Sequence, residues 1–133
     1  IGIALNGRGL VAESTAVGNI PTGILAFPGA RVERCVVSES SANGLVLNGP
    51  AFAIGNTLVD NPTGILLNNT GSRIDGNDVS GGTTGIHASA GANTIVRNTV
   101  RGAGTPFNLA PGNLAGPVET SISDHPWANF VQE

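Results

Sequence analysis

The chain has 133 residues, which suffices for one modest domain. Only 11% of the residues are charged, the net charge is −3 and lysine is absent, so the sequence offers no basic surface for nucleic acid. No apolar run approaches the roughly 20 residues that a membrane-spanning helix needs, and the single cysteine excludes an internal disulfide.

A short glycine-led phrase recurs along the chain at a nearly fixed period. Its glycines stand at positions 2, 23, 44, 64 and 85, with spacings of 21, 21, 20 and 21 residues. A period of this length is the signature of a repeat architecture. It predicts five coils and a degenerate sixth over residues 1–110, followed by a non-repeat tail at 111–133 that acts as a cap or strap. The five phrases are Gly2-Ile3-Ala4-Leu5, Gly23-Ile24-Leu25-Ala26, Gly44-Leu45-Val46-Leu47, Gly64-Ile65-Leu66-Leu67 and Gly85-Ile86-His87-Ala88.

Each coil shows alternation of apolar and polar residues in short runs, which is typical of β-strands. The first and third residues after each lead glycine are apolar, so we expect them to point inward. Three strands per coil, all running in the same sense, predict an all-β protein with a right-handed parallel β-helix. The second strand is expected to contribute Val11, Val32, Ile54, Ile74 and Ile95 to the core, and the third Ala16, Val37, Leu58, Val79 and Val100.

A bend between the second and third strands carries Asn56, Asn77 and Asn98 in successive coils. Asparagine tolerates left-handed backbone conformations, and stacked asparagines can hydrogen-bond along the solenoid. We therefore assign these three residues a structural role. Ser14 and Cys35 occupy the same slot in coils one and two, which predicts that Cys35 is a small buried member of the stack.

The residue between the two inward positions of the first strand faces outward. In consecutive coils this position holds Leu25, Val46 and Leu66, which predicts an exposed apolar strip suited to binding. Two covers are plausible: the tail, through Trp127 and Phe130, which we favour, or a neighbouring subunit. The coil that begins at Ile1 has no cap, so the natural protein continues upstream or another chain covers that end, which permits end-to-end assembly.

Glu39 and Asp60 both lie sixteen residues after their lead glycines, so we expect them to stack in adjacent coils. Three interpretations remain open: a solvated turn, a shared calcium ion, or a catalytic carboxylate pair. Calcium is the only cofactor for which the sequence offers candidate ligands. His87 is expected to be an ordinary surface residue. His125 has only Asp124 at ligand spacing, so no zinc site is predicted.

The repeat resembles that of the pectin-lyase-like superfamily. The residues that carry this resemblance are Gly64-Ile65-Leu66-Leu67 with Ile74-Asp75-Gly76-Asn77-Asp78-Val79, and the corresponding phrases of the next coil. The tail at His125-Pro126-Trp127 is similar to the C-terminal end of bacterial right-handed parallel β-helix repeat-containing proteins. The resemblance implies the C-terminal portion of an exported bacterial protein, extracellular or at the cell surface, whose signal peptide is not in this chain.

The resemblance is specific for fold and unspecific for activity. Characterised members often cleave or bind acidic polysaccharides, whereas others are structural. The Asn-Thr-Asp, Gly-His-Gly and Asp-Pro-His-Glu phrases of the enzymes are absent. We therefore expect a non-catalytic scaffold, adhesion or assembly module, with homo-oligomers as one form of assembly. The alternative is a fragment of a polysaccharide-binding or polysaccharide-degrading protein, with Glu39 and Asp60 as its only candidate pair.

Overall fold

The computed structural model describes residues 1–133 and contains β-strands without any α-helix. Nineteen short strands form three parallel sheets that wind into a β-solenoid of about five turns. The predicted right-handed parallel β-helix is therefore confirmed. The structure has no helix with the length and hydrophobicity to cross a membrane.

Three strands make each coil. The first three coils contain β1 (Ile3–Leu5), β2 (Leu10–Ala12), β3 (Thr15–Val17), β4 (Thr22–Ala26), β5 (Arg31–Glu33), β6 (Val36–Ser38), β7 (Asn43–Leu47), β8 (Phe52–Ile54) and β9 (Thr57–Val59). The next two contain β10 (Thr63–Leu67), β11 (Arg73–Asp75), β12 (Asp78–Ser80), β13 (Thr84–Ala88), β14 (Thr94–Val96) and β15 (Thr99–Arg101). The remaining strands are β16 (Thr105–Leu109), β17 (Leu114–Ala115), β18 (Val118–Glu119) and β19 (Asn129–Gln132).

Each coil contributes one strand to each sheet. The first sheet has the order β1-β4-β7-β10-β13-β16, and the second has the order β17-β14-β11-β8-β5-β2. The third sheet has the order β18-β19-β15-β12-β9-β6-β3. Coil one thus supplies an edge strand to every sheet, since β1, β2 and β3 each have a partner on one side only.

The core is a set of aliphatic columns that run along the solenoid axis. Ile24, Leu45, Ile65 and Ile86 pair in register across the first sheet and are fully buried. The expected third-strand column is also confirmed, because its members pair in register and are at most 5% exposed. A single coil cannot bury its own apolar face, so stacking of neighbours provides the stability.

The second-strand column differs from the prediction at one position. Ala53, not Ile54, pairs with Val32 and Ile74 and is fully buried. Ile54 lies outward between Glu33 and Asp75. The connection from Leu47 to Ala53 is one residue shorter than that from Leu67 to Ile74, and a slip of one residue moves a side chain to the other face of a strand.

The lead glycines allow adjacent coils to approach closely. A Cβ atom on Gly64 would lie 2.4 Å from Cγ1 of Val79 and 2.7 Å from the carbonyl oxygen of Gly85. Gly23, Gly44 and Gly85 have comparable surroundings. The repeat therefore has a residue without a side chain at this point, because the third strand of the same coil and the backbone of the next coil occupy the space.

An asparagine ladder crosses the coils inside the bend between the second and third sheets. The backbone N–H and the Nδ2 of Asn56 both donate to Oδ1 of Asn77 at 2.9 Å, and Asn77 makes the same two bonds to Asn98 at 3.0 Å. Cys35 occupies the preceding slot, where its N–H donates to Oδ1 of Asn56 at 2.9 Å. Its side chain is 1% exposed.

The tail completes the last coil in an unexpected chain order. β19 lies between β15 and β18, so the final strand inserts beside coil five and pushes the preceding strand to the edge. Asn129 takes the next rung of the ladder, because its Oδ1 accepts both donors of Asn98 at 3.0 and 3.1 Å. Residues 120–128 form a strap that connects the two strands.

The ladder predicts a large stability loss on truncation of one rung. In Asn77→Ala, the two buried donors of Asn56 lose their shared acceptor, and we expect the free energy of unfolding to fall by about 2–4 kcal/mol. Asn69→Ala is the matched control, since Asn69 is exposed and makes only one long contact to Asn48. Thermal denaturation of both variants would test this, and equal stabilities would contradict a structural role for the ladder.

Candidate functional site

The acidic pair, Glu39 and Asp60, lies at a turn position where the residue of every coil has a left-handed backbone conformation. Glu39 and Asp60 have φ angles of 55° and 53°, and the equivalent residues in the flanking coils are Gly18 and Gly81, at 66° and 73°. The N–H of Glu39 donates to the carbonyl of Val59 in the next coil at 3.2 Å. Both acids are exposed. The structure thus brings the two residues into adjacent coils at the same turn.

The chemistry open to this pair is restricted by its surroundings. Neither carboxylate makes an ion pair, and no third His, Cys, Asp or Glu joins them in a group that could hold a metal ion. A Cβ on Gly81 would lie 2.3 Å from Oδ1 of Asp60. The Asp60 side chain therefore extends over Gly81, toward the following coil.

The aliphatic strip follows the outer face of the first sheet. Leu25, Val46 and Leu66 pair in register, and His87 continues the column. Val46 is 5% exposed, whereas the two leucines are half-buried. The prediction of an exposed strip is therefore wrong at Val46, and the two leucines are only partly accessible.

The expectation that the tail covers this strip is wrong. Phe130 belongs to β19 in the third sheet, where it pairs with Thr99. The Trp127 ring stacks on the guanidinium of Arg97, 5.2 Å from its centroid, beside the second sheet. The tail continues the second and third sheets, where Asn129 and the backbone of β19 make hydrogen bonds, so neither aromatic side chain lies over the strip of Leu25, Val46 and Leu66.

The strap and the second sheet enclose the largest concave feature of the surface. This groove has a volume of about 420 Å³. Val96, Leu114, Pro117 and Trp127 provide apolar lining, and Arg73 and His125 are also among the lining residues. Leu114 and Trp127 are 71% and 46% exposed. The sequence prediction missed this site, because its residues come from coils four and five and from the tail. The single tryptophan of the chain was the only signal.

An ion-pair cluster lies next to the groove on the outer face of the second sheet. Arg97 donates from Nε to Oδ1 of Asp75 at 2.7 Å, and Arg73 donates from Nε to Oδ2 at 3.1 Å. The hydrogen bond from Arg97 holds the pKa of Asp75 below its ordinary value of 3.8, with help from Arg73 and against the effect of burial. Two guanidinium groups thus share one carboxylate, which leaves local positive charge.

The cluster predicts a stability difference that depends on pH. Because the folded-state pKa of Asp75 is lowered, its ion pairs stabilise the protein at neutral pH, and this contribution is lost as the pH falls through the folded-state pKa. We expect Asp75→Asn to lose about 1–2 kcal/mol at pH 7, since hydrogen bonds to charged groups are stronger than neutral ones. Denaturant unfolding at a series of pH values would measure the difference, which should narrow in acid. Asp124→Asn is the control, and a gap that is constant with pH would contradict the assignment.

Comparison with known proteins identifies the repeat region. The family model described as periplasmic copper-binding protein (NosD) matches residues 4–113. No curated protein and no solved structure matches the chain. The match covers most of the sequence and all five coils, in agreement with the parallel β-helix described above. The chain therefore belongs to the NosD family.

Proposed function

We propose that this chain is a non-catalytic β-helix module of an exported protein and that it acts by assembling with other β-structured surfaces. The observation that carries the proposal is the N-terminal coil. Its strands β1, β2 and β3 are the edge strands of all three sheets, and exposed strand edges pair readily with further strands. Leu10, Val17 and Ile20 in this coil are 61%, 55% and 76% exposed.

The family description also supports export, because it names a periplasmic protein. Repeat coils of this kind contact only their neighbours, so one more coil or a second copy can extend the stack without rearrangement. The two half-buried leucines of the aliphatic strip, Leu25 and Leu66, offer a second, lateral surface for self-association. Adhesion to a partner would use the same two surfaces.

Copper is named in the family description, but the donor residues of this chain do not fit a copper site. Protein copper sites use imidazole, thiolate and thioether ligands, and the chain has no methionine. Cys35 is buried, and its Sγ contacts the carbonyl oxygens of Val11 and Glu33. His87 lies on the first sheet, whereas Nδ1 of His125 accepts the N–H of Trp127 on the strap. No copper-dependent step is assigned to these residues.

Sedimentation velocity combined with electron microscopy tests the assembly proposal. We expect the chain to form end-to-end species, and Val17→Lys with Ile20→Lys to abolish them, because charges at a strand edge block pairing. Leu25→Lys with Leu66→Lys is the matched lateral variant, which should retain end-to-end species. A wild-type chain that shows no species larger than a dimer would contradict end-to-end assembly.

A second candidate function, binding of a cation or an acidic polysaccharide through calcium, is suggested by the positions of Glu39 and Asp60 at the same turn of adjacent coils. Calcium sites of extracellular modules have dissociation constants of about 10⁻⁴–10⁻³ M. On this hypothesis millimolar calcium raises the melting temperature of the wild type, and Glu39→Asn with Asp60→Asn removes the rise. Asp124→Asn controls for the loss of a surface charge. Identical calcium responses in all three proteins would leave the pair as solvated turn residues.

The same double variant tests the enzymatic alternative. A polysaccharide panel assayed for new reducing ends or unsaturated uronates would detect hydrolase or lyase activity. Activity in the wild type that disappears in the double variant would assign the two carboxylates a catalytic role. We expect no turnover by either protein.

A further inference from the structure

The groove between the strap and the second sheet is held in shape by several contacts of the tail. The carbonyl oxygen of Trp127 accepts the N–H of Arg97 at 3.4 Å, and the Trp127 ring stacks on the guanidinium of the same residue. Gly116 lies so close to the strap that a Cβ atom on it would be 1.6 Å from the Trp127 carbonyl oxygen. Nδ1 of His125 accepts the N–H of Trp127 at 3.2 Å. These contacts fix the indole ring as part of the groove lining.

The polar side chains that line the groove can all donate hydrogen bonds. Arg73 uses Nε and Nη2 in its contacts with Asp75, and its Nη1 makes no hydrogen bond within the chain. Because Nδ1 of His125 accepts a hydrogen bond, the proton of the neutral imidazole lies on Nε2, which is then a donor. The indole N–H of Trp127 is a donor only, and the hydroxyl of Thr94 can donate as well as accept. The groove thus suits a ligand that carries acceptors.

No acid competes for these donors inside the groove. The lining residues include neither Asp nor Glu, so Glu119 and Asp124 of the tail are not among them. Asp75 lies beside the groove, but its side chain is 8% exposed and both carboxylate oxygens already accept hydrogen bonds from Arg73 or Arg97. The side chain of Arg73, in contrast, is 37% exposed. A ligand in the groove therefore meets an accessible guanidinium and no carboxylate in the lining.

The rest of the groove is apolar and large enough for a small molecule. Its volume of about 420 Å³ lies within the range of about 300–1,000 Å³ that is typical of small-molecule sites. Such sites combine apolar walls with a small number of polar groups that fix the orientation of the ligand. Here the apolar walls are formed by Val96, Leu114, Ala115, Pro117 and Trp127.

We propose that this groove binds a small organic carboxylate with a flat apolar body, of the class of the aromatic acids. The carboxylate accepts charge-assisted hydrogen bonds from Nη1 of Arg73, which are stronger than bonds between neutral groups. The aromatic ring of the ligand packs against Leu114 and the exposed part of the Trp127 ring, where offset or edge-to-face contacts add to the burial of apolar surface. This site is independent of the N-terminal edges on which the proposed assembly depends.

Tryptophan fluorescence of the full chain tests the proposal, because Trp127 is the single tryptophan and the chain has no tyrosine. We expect benzoate to change the emission with a saturable binding curve. Benzamide has the same ring without the charge, and acetate has the same carboxylate without the ring, so both should bind at least about tenfold more weakly. The proposal is overturned by the absence of a saturable change with benzoate, or by a control compound that binds as tightly as benzoate.

Two arginine variants separate a local site from a general effect of charge. Arg73→Gln removes the guanidinium of the groove, and we expect the Kd for benzoate to rise at least about tenfold. Arg31→Gln is the matched control, because Arg31 lies two coils earlier in the same column of the second sheet and likewise donates to an acid two residues further on, Glu33. Arg31 does not line the groove, so its removal should leave the Kd unchanged. An equal loss of affinity in both variants, or no loss in Arg73→Gln, would contradict the proposed contact.

Leu114→Ser tests the apolar wall in the same assay. Leu114 is 71% exposed, so we expect a melting curve close to that of the wild type together with weaker binding of benzoate. Val118→Ser is its control, since Val118 is 50% exposed on the third sheet and does not line the groove. Wild-type affinity in Leu114→Ser would place the ligand elsewhere and overturn the inference. The variant with Val17→Lys and Ile20→Lys should bind benzoate normally, so this proposal and the assembly proposal fail independently.

Discussion

The constraint on which the structure depends is the vertical register between coils, held by groups that reach from one coil to the next. Asn56, Asn77, Asn98 and Asn129 each give or receive two hydrogen bonds along the axis inside the core. Buried polar groups of this kind are stabilising only when fully paired, so a shifted coil would leave donors without acceptors. Hydrophobic columns supply the energy of stacking, and the ladder decides which residues meet.

Much of this architecture could be predicted from the sequence because the same physical requirement returns in every coil. The lead glycines mark where the next coil passes within contact distance of the backbone, so their spacing reports the length of a turn of the solenoid. The error at Ile54 has a clear origin. The turn after Leu67 is one residue longer than the turn after Leu47. The spacing of the glycines gives only the total length of a coil and does not show whether an added residue precedes or follows the second strand.

A second hydrogen-bonded series, Ser72–Asn93–Asn113, was not foreseen. The N–H of Ser72 donates to Oδ1 of Asn93 at 2.9 Å, and Asn93 donates in turn to Asn113. Serine and asparagine are frequent throughout this chain, so their alignment at one corner is visible only once the coils are stacked. The groove escaped prediction for a related reason, since coils four and five and the tail all contribute to it. Surfaces made by stacking carry no local sequence signature.

The insertion of β19 between β15 and β18 has a consequence for the order of folding. Coils one to five consist of contiguous segments, so each can dock on the previous one as the polypeptide emerges during synthesis or export. The last rung is different, because β18 reaches its place only when residues 129–132 have arrived to separate it from β15. Closure of this end of the solenoid therefore has to wait for residues 129–132, and until they arrive Asn98 lacks the acceptor that Asn129 provides.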